Sequence, residues 1–263
     1  ASLVFPELAS YSLGYLSTAL KLDHEPRHRA LGDVHATLGL LEKCWERLSE
    51  LPENAREDIA SILKRSPAGY RRLLEALPQS KTKTKPKWLK RGSLPTTHYR
   101  LLTSAPQSSA ISEPGVVTLI EESLDPAFVL SHLAPSSTDR QRWVAVKNLE
   151  AWVRRFGVPE NSCVLYPPEL VLRPEAVSAF LAQEKFTEDE CTLAIKLKLY
   201  APRVRAEIPV HGDEHAVWTG KLACARGDAA YINQVRPDCP TVILDHQELL
   251  KLAEEHSPLL GEK

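Results

Sequence analysis

The sequence predicts an α-rich α/β protein, and three observations predict it. Apolar side chains recur at helical spacing through the first eighty residues. From Gly115 onward, short β-rich runs alternate with helical stretches. One of those stretches opens on a capping threonine followed by three acids, Thr187-Glu188-Asp189-Glu190. The composition agrees: of 263 residues, 43% are hydrophobic and 25% charged, which excludes a disordered tail, a collagen or a disulfide-dense mini-protein.

In order along the chain, Ser10–Leu20 predicts a first helix with Tyr11, Leu13, Leu16 and Leu20 close to one face. Leu31, Val34, Leu38, Leu41, Trp45 and Leu48 step by three or four without a miss, so a long amphipathic helix is expected over about His28 to Glu50. Asn54 is placed to cap a third helix through Ile59 and Leu63, and Pro67 to start a fourth that ends near Leu77. Ser80–Gly92 then packs six Lys and Arg around one proline and one tryptophan and cannot build a core. Val116–Ile120, Trp143–Val146, Cys163–Tyr166 and Thr241–Leu244 read as strands. Asp125–Leu133, Asn148–Phe156, Pro174–Glu184, Thr187–Tyr200, Asp213–Ala225 and Asp245–Glu255 read as helices. The expected organisation is a helical domain over 1–79, a basic linker and loop over 80–114, and an α/β domain with a helical insertion over 115–263.

Lys and Arg number 33 against 34 Asp and Glu, so the net charge of −1 gives no global pull toward nucleic acid. No apolar run approaches the ~20 residues of a membrane helix, and no basic segment precedes a signal-like apolar stretch. A cytoplasmic location with no membrane partner is expected. Five scattered cysteines, an odd number, suit free thiols in a reducing compartment. The chain has no methionine, not even at position 1. It is therefore expected to be part of a longer protein, unless modified residues are missing from the sequence as written.

The stretch that carries chemistry is His28-Arg29-Ala30-Leu31-Gly32-Asp33. Residues five apart on a helix are about 140° around its axis, so His28 must lie just before the helix for both side chains to face one site. At that N-terminus the helix dipole favours an anionic phosphate. A histidine takes a proton from water near neutral pH, and an aspartate holds a divalent metal. The spacing alone equally suits a capping aspartate beside an exposed histidine. His24 and His35 flank the motif and are expected at the surface.

The surrounding context is more specific. Pro6, Leu8, Tyr11, Ser12, Leu13 and Leu16, followed by His28, Arg29, Ala30, Leu31, Asp33, Ala36 and Leu40, fall in the order of the C-terminal third of a DnaQ-like, DEDDh-family 3′→5′ exonuclease. About 45 residues resemble that family's third motif and the approach to it. The resemblance implies an N-terminal helical remnant of a ribonuclease H-like exonuclease fold. It further implies that His28 is the general base and Asp33 a ligand for Mg²⁺ or Mn²⁺. The family's Asp-x-Glu strand and middle Asp lie outside this sequence, so the chain alone is expected to be inactive, either a fragment of a longer protein or a degenerate member that keeps the helices for structural reasons.

Residues from about 160 to 250 resemble the iron–sulfur and arch region of XPD/DinG-type helicases, which in bacteria are sometimes fused behind this exonuclease. The match rests on Phe186 to Glu190, Gly212-Asp213-Glu214 with Trp218, Cys224 to Cys239, and Thr241–Leu244 running into Asp245-His246 and Leu249-Leu250. The family's Asn-His-x-Leu-Leu is altered here. No P-loop or Asp-Glu-Ala-His box is present, so no ATP site is expected. Only Cys224 and Cys239 fall in the cluster segment, so no iron–sulfur cluster is expected. The two resemblances together imply DNA as partner, with single-stranded 3′ ends one candidate substrate and double strands or RNA left open, and a protein partner as one source of the missing domain.

Three further features of the sequence stand out. Lys83, Lys85, Lys87, Lys90 and Arg91 with Trp88 suit a phosphate-tracking segment with a base-stacking indole, or a solvated linker anchored by one aromatic. His211, Asp213, Glu214 and His215 are a ligand-like cluster that helix capping equally explains. Trp45, Trp152 and Trp218 fall on apolar faces and are expected in the core. The competing functional reading is a non-catalytic DNA- or protein-binding module, and a third is a purely structural or assembly role.

Overall fold

The computed structural model describes residues 1–8, 10–26, 29–67, 69, 72, 86–89, 142–158, 161–255, 257 and 259. The expected fourth helix after Pro67, the strand Val116–Ile120 and the helix Asp125–Leu133 fall on residues outside that set, wholly or in large part. The architecture is α/β, rich in helix, with a small parallel sheet. The chain divides into two compact units, Ala1–Pro95 with Pro168–Ala230, and Thr96–Pro167 with Tyr231–Lys263. The helical segment between the second and third strands therefore belongs with the N-terminal helices.

In the first unit, helix α1 (Leu13–Ala19) starts where the Ser12 hydroxyl accepts from the Tyr15 N–H. Helix α2 (Ala30–Ser49) runs close to the predicted bounds. Helix α3 (Glu53–Leu63) has Pro52 at its N-cap, two residues earlier than the expected Asn54 cap. Ala55, Ile59, Ile62 and Leu63 bury its inner face. These residues share one core with the inserted segment, including Phe180, Phe186, Leu193, Ile195, Trp218 and Leu222.

The insertion is tied to the N-terminal helices by polar contacts as well. Arg65 Nη1 donates to Leu181 O at 3.0 Å and Gln183 O at 2.6 Å, while its guanidinium stands 4.8 Å over the Phe186 ring. The Tyr200 hydroxyl donates to Leu3 O at 2.6 Å. The insertion follows helix α4 (Leu149–Phe156) of the second unit and holds α5 (Pro174–Leu181) and α6 (Glu188–Tyr200). The α6 start forms the expected capping box, with Thr187 Oγ1 accepting from the Glu190 N–H and the Glu190 carboxylate accepting from the Thr187 N–H.

The single helix expected over Asp213–Ala225 is instead a short α7 (Glu214–Val217) that widens into a π-turn over Trp218–Leu222. The widening lets the Ala223 N–H reach Trp218 O at 3.0 Å. Beyond it the chain leaves extended, and Ala223 bridges to Leu172. Trp218 is fully buried, and its indole N–H donates to Glu169 O at 3.1 Å.

The second unit holds the sheet. Strands β1 (Arg142–Val146), β2 (Ser162–Leu165) and β3 (Thr241–Asp245) pair in the order β1-β3-β2, all parallel. Val144 and Val164 both face Ile243 in register. Helix α4 (Leu149–Phe156) links β1 to β2 and is capped by Asn148 Oδ1. It ends on Gly157 at φ 75°, a left-handed position that a side chain would strain. After the turn α8 (Ala229–Ile232), helix α9 (His246–Glu254) leaves β3 directly, capped by the Asp245 carboxylate. Buried Leu165, Val242, Ile243 and Leu244 make the sheet's core.

Candidate functional site

The start of α2 is the place where the sequence motif meets the fold. After α1 the chain turns back through Leu22, Asp23 and His24, and Pro26 passes directly over the first turn of α2. A Cβ on Gly32 would stand 2.3 Å from Pro26 O, so only glycine admits this approach. The close pass sets His24 beside Asp33: Nε2 lies 2.7 Å from Asp33 Oδ1, and Nδ1 lies 2.8 Å from Ser17 Oγ. Ser17 Oγ is also 3.0 Å from Gly14 O, to which it can donate.

The proton inventory of this chain is constrained. The serine hydroxyl has one proton, so it donates either to Gly14 O or to His24 Nδ1. In the first case the imidazole carries both protons; in the second it is neutral with Nε2 protonated. Either way Nε2–H donates to the Asp33 carboxylate. His24 therefore acts as a clamp on Asp33. It is 7% exposed, which corrects its expected surface position, and Ser17 beneath it is buried. Asp33 keeps a side chain that is 46% exposed, in the first turn of the helix where a negative charge is favoured.

His28 lies outside the described residues, so its geometry toward Asp33 is not part of this site as described. Lys83, Lys85, Lys90 and Arg91 also lie outside them, as does the side chain of Lys87. Trp88 is described, within a short 3₁₀ turn over Lys87–Leu89. Its indole N–H donates to Glu50 Oε2 at 2.6 Å, and its ring lies 5.4 Å from the Arg47 guanidinium. Leu89 beside it is buried in the first unit's core. The indole thus anchors this segment on the C-terminal end of α2.

The cluster His211, Asp213, Glu214 and His215 is turned to structure. Glu214 is buried, and its two oxygens accept from Lys196 Nζ at 2.8 and 2.7 Å; Oε2 also accepts from the His211 N–H at 2.9 Å. Pro209 O at 2.9 Å takes the third Lys196 proton, so the ammonium is fully satisfied. Burial pushes the Lys196 amine below the ordinary lysine range, against the pull of Glu214. Among the described residues, no group of three or more His, Cys, Asp or Glu is placed to hold a metal ion. Asp33 offers one hard oxygen donor, too few for Mg²⁺ or Mn²⁺ without further carboxylates.

A second feature of α2 is new. Leu31, Val34, Leu38 and Leu41 are 65%, 52%, 54% and 45% exposed, although they open the apolar series that predicts the helix. The helix packs instead by its small-residue face. Gly32 and Ala36 are buried, and Gly39 lies against Leu22. The reason is steric: a Gly/Ala face lets the α1 and Pro26 backbone approach closely, whereas the leucines need a second layer.

Compared with protein-family models, with characterised proteins and with solved structures, the chain matches none. No helix among the described residues is long and apolar enough to cross a membrane.

Proposed function

We propose that this chain is part of a DnaQ-like 3′→5′ exonuclease joined to a DinG-type helicase-like region, whose parent protein hydrolyses phosphodiester bonds of DNA with Mg²⁺ or Mn²⁺. The observation that supports this most is the double-sided character of α2. One flank is closed by small residues and carries the clamped, half-exposed Asp33. The other presents an apolar stripe of four large side chains to water. Such a stripe is stable in a folded protein when another layer covers it. A sheet bearing the remaining acids of the nuclease motif would both cover the stripe and bring those carboxylates near Asp33.

On this reading Asp33 supplies one metal ligand, His24 fixes its carboxylate, and His28 takes the proton of the attacking water. The bound metal would neutralise charge at the scissile phosphate. The test is degradation of a 5′-labelled single strand by the full-length protein in Mn²⁺, beside Asp33→Asn and His28→Ala variants. Stepwise shortening from the 3′ end is expected, and either variant should lower the rate by about 10²-fold or more. Shortening that is indifferent to both substitutions overturns the proposal. Salt-dependent binding of DNA without cleavage by the full-length protein would instead mark a non-catalytic module.

A further inference from the structure

The Asp33 carboxylate has an inner oxygen and an outer one. Oδ1 turns inward to His24, whose side chain is 7% exposed, and accepts from Nε2 at 2.7 Å. On the far side of the ring, Ser17 Oγ stands 2.8 Å from Nδ1 and 3.0 Å from Gly14 O in the first turn of α1. Side chains from α1, the turn that follows it and α2 are thus joined in one line, Ser17–His24–Asp33. Both ring nitrogens are engaged, so the imidazole is held at two points, and the carboxylate loses its bond if it rotates. Among the described residues no donor reaches Oδ2, and the Asp33 side chain is 46% exposed.

We propose that His24 is a positioning residue that decides which divalent cation Asp33 accepts, by restricting the carboxylate to one outward oxygen and so favouring Mg²⁺ and Mn²⁺ over Ca²⁺; this rests on the metal-dependent reading of Asp33 above. The donor fits a share in such a site. A carboxylate oxygen is a hard ligand, and here it is open on its outer side and fixed on its inner side. Mg²⁺ demands near-octahedral geometry at about 2.0–2.1 Å, which single oxygens from separate groups satisfy. Ca²⁺ takes about six to eight oxygens in a looser shell and gains from chelation by both oxygens of one carboxylate.

Chelation of that kind needs Oδ1 on the cation. In this chain Oδ1 is turned toward a buried imidazole, so a cation that took it would displace the Nε2–H and strand a buried donor. The bond from His24 therefore penalises two-oxygen binding and leaves one-oxygen binding untouched. Ser17 acts one step further back, by fixing the ring that fixes the carboxylate.

The experiment is Mn²⁺ binding by the full-length protein without DNA, read from loss of the free-ion electron paramagnetic resonance signal, followed by displacement with Ca²⁺. The unmutated protein should hold Mn²⁺ more tightly than Ca²⁺ by about tenfold or more. His24→Ala should weaken Mn²⁺ by about tenfold and bring the two cations to within a few fold of each other. His24→Gln keeps an N–H where Nε2 stands and should restore most of the preference. His24→Asn matches Nδ1 toward Ser17 but is too short for Asp33, so it should behave as His24→Ala does. His35, exposed on the same helix, is the control, and His35→Ala should change neither affinity.

A histidine that only supports the fold would give Gln and Asn the same effect, and that result overturns the proposal. So does Ca²⁺ held as tightly as Mn²⁺ by the unmutated protein, a reading that needs no variant to fold. Asp33→Asn separates this inference from the reading beneath it. Unchanged Mn²⁺ affinity in Asp33→Asn removes the metal site and the selection together. Lost Mn²⁺ affinity there, with the wild-type preference kept in every His24 variant, overturns the selection alone.

Discussion

Helix α2 has 20 residues carrying an apolar series in regular three-to-four spacing, yet the first four of that series, Leu31, Val34, Leu38 and Leu41, face solvent. Helix α6, in the same unit, has 13 residues with little sidedness, and nine of them are buried, Glu190 and Lys196 included. Periodicity therefore reports which side of a helix is apolar. It does not report whether anything lies across from that side. The reverse holds for α6: a helix enclosed on every side needs no stripe, and its polar residues survive burial because each meets a partner. Lys196 meets Glu214, and Glu190 meets Lys221 and its own cap.

The comparison is broken or sharpened most strongly at Lys196. Lys196→Met leaves Glu214 buried without its cation and should cost about 3–5 kcal/mol, read as a lower urea midpoint. Lys196→Met combined with Glu214→Leu should recover most of that loss, because the desolvated charges leave together. Leu193→Ala, in the fully buried interior of α6, should cost about 2–5 kcal/mol.

Glu190→Gln should cost about 1 kcal/mol at neutral pH. Although burial opposes it, bonds from Lys221 and the Thr187 N–H hold the Glu190 carboxyl below its ordinary 4.5. A carboxyl lowered on folding contributes stability that is complete above the unfolded value and fades as pH falls through the folded one. The difference between wild type and Glu190→Gln should therefore shrink on acidification below pH 4.5, measured by thermal midpoints across that range. The smallest effect is expected on α2. Leu38→Ala should change stability by less than about 0.5 kcal/mol in the chain as described, against the several lost by the same change at Leu193. A large loss at Leu38 would mean that the stripe is covered.

Much of the fold was legible because it is written locally. The Thr187/Glu190 box, the Asn148 and Asp245 caps and the three short strands are signals within a few residues of the elements they define. What was not legible depends on residues far apart. Arg65 reaches carbonyls at 181 and 183, and no local pattern announces that the inserted helices share a core with the first sixty residues. The His24 clamp is of the same kind. It exists because Gly32 lets the Pro26 backbone close over α2, so a glycine in a first helical turn was the available signal. The π-turn at Trp218 likewise follows from the demand that its indole reach Glu169 O across the unit.

The strand order has a consequence for how the protein is made. Among the described strands β3, the middle one, is also the last in the chain, so β1 and β2 are synthesised before the strand that joins them. The backbone amides and carbonyls by which each pairs with β3 must wait in water, or in the grip of a chaperone, until β3 has been synthesised. Joining β1 to β2 thus waits for β3, and a ribosome that stops before Thr241 releases both without the strand that bridges them, prone to pair with other chains.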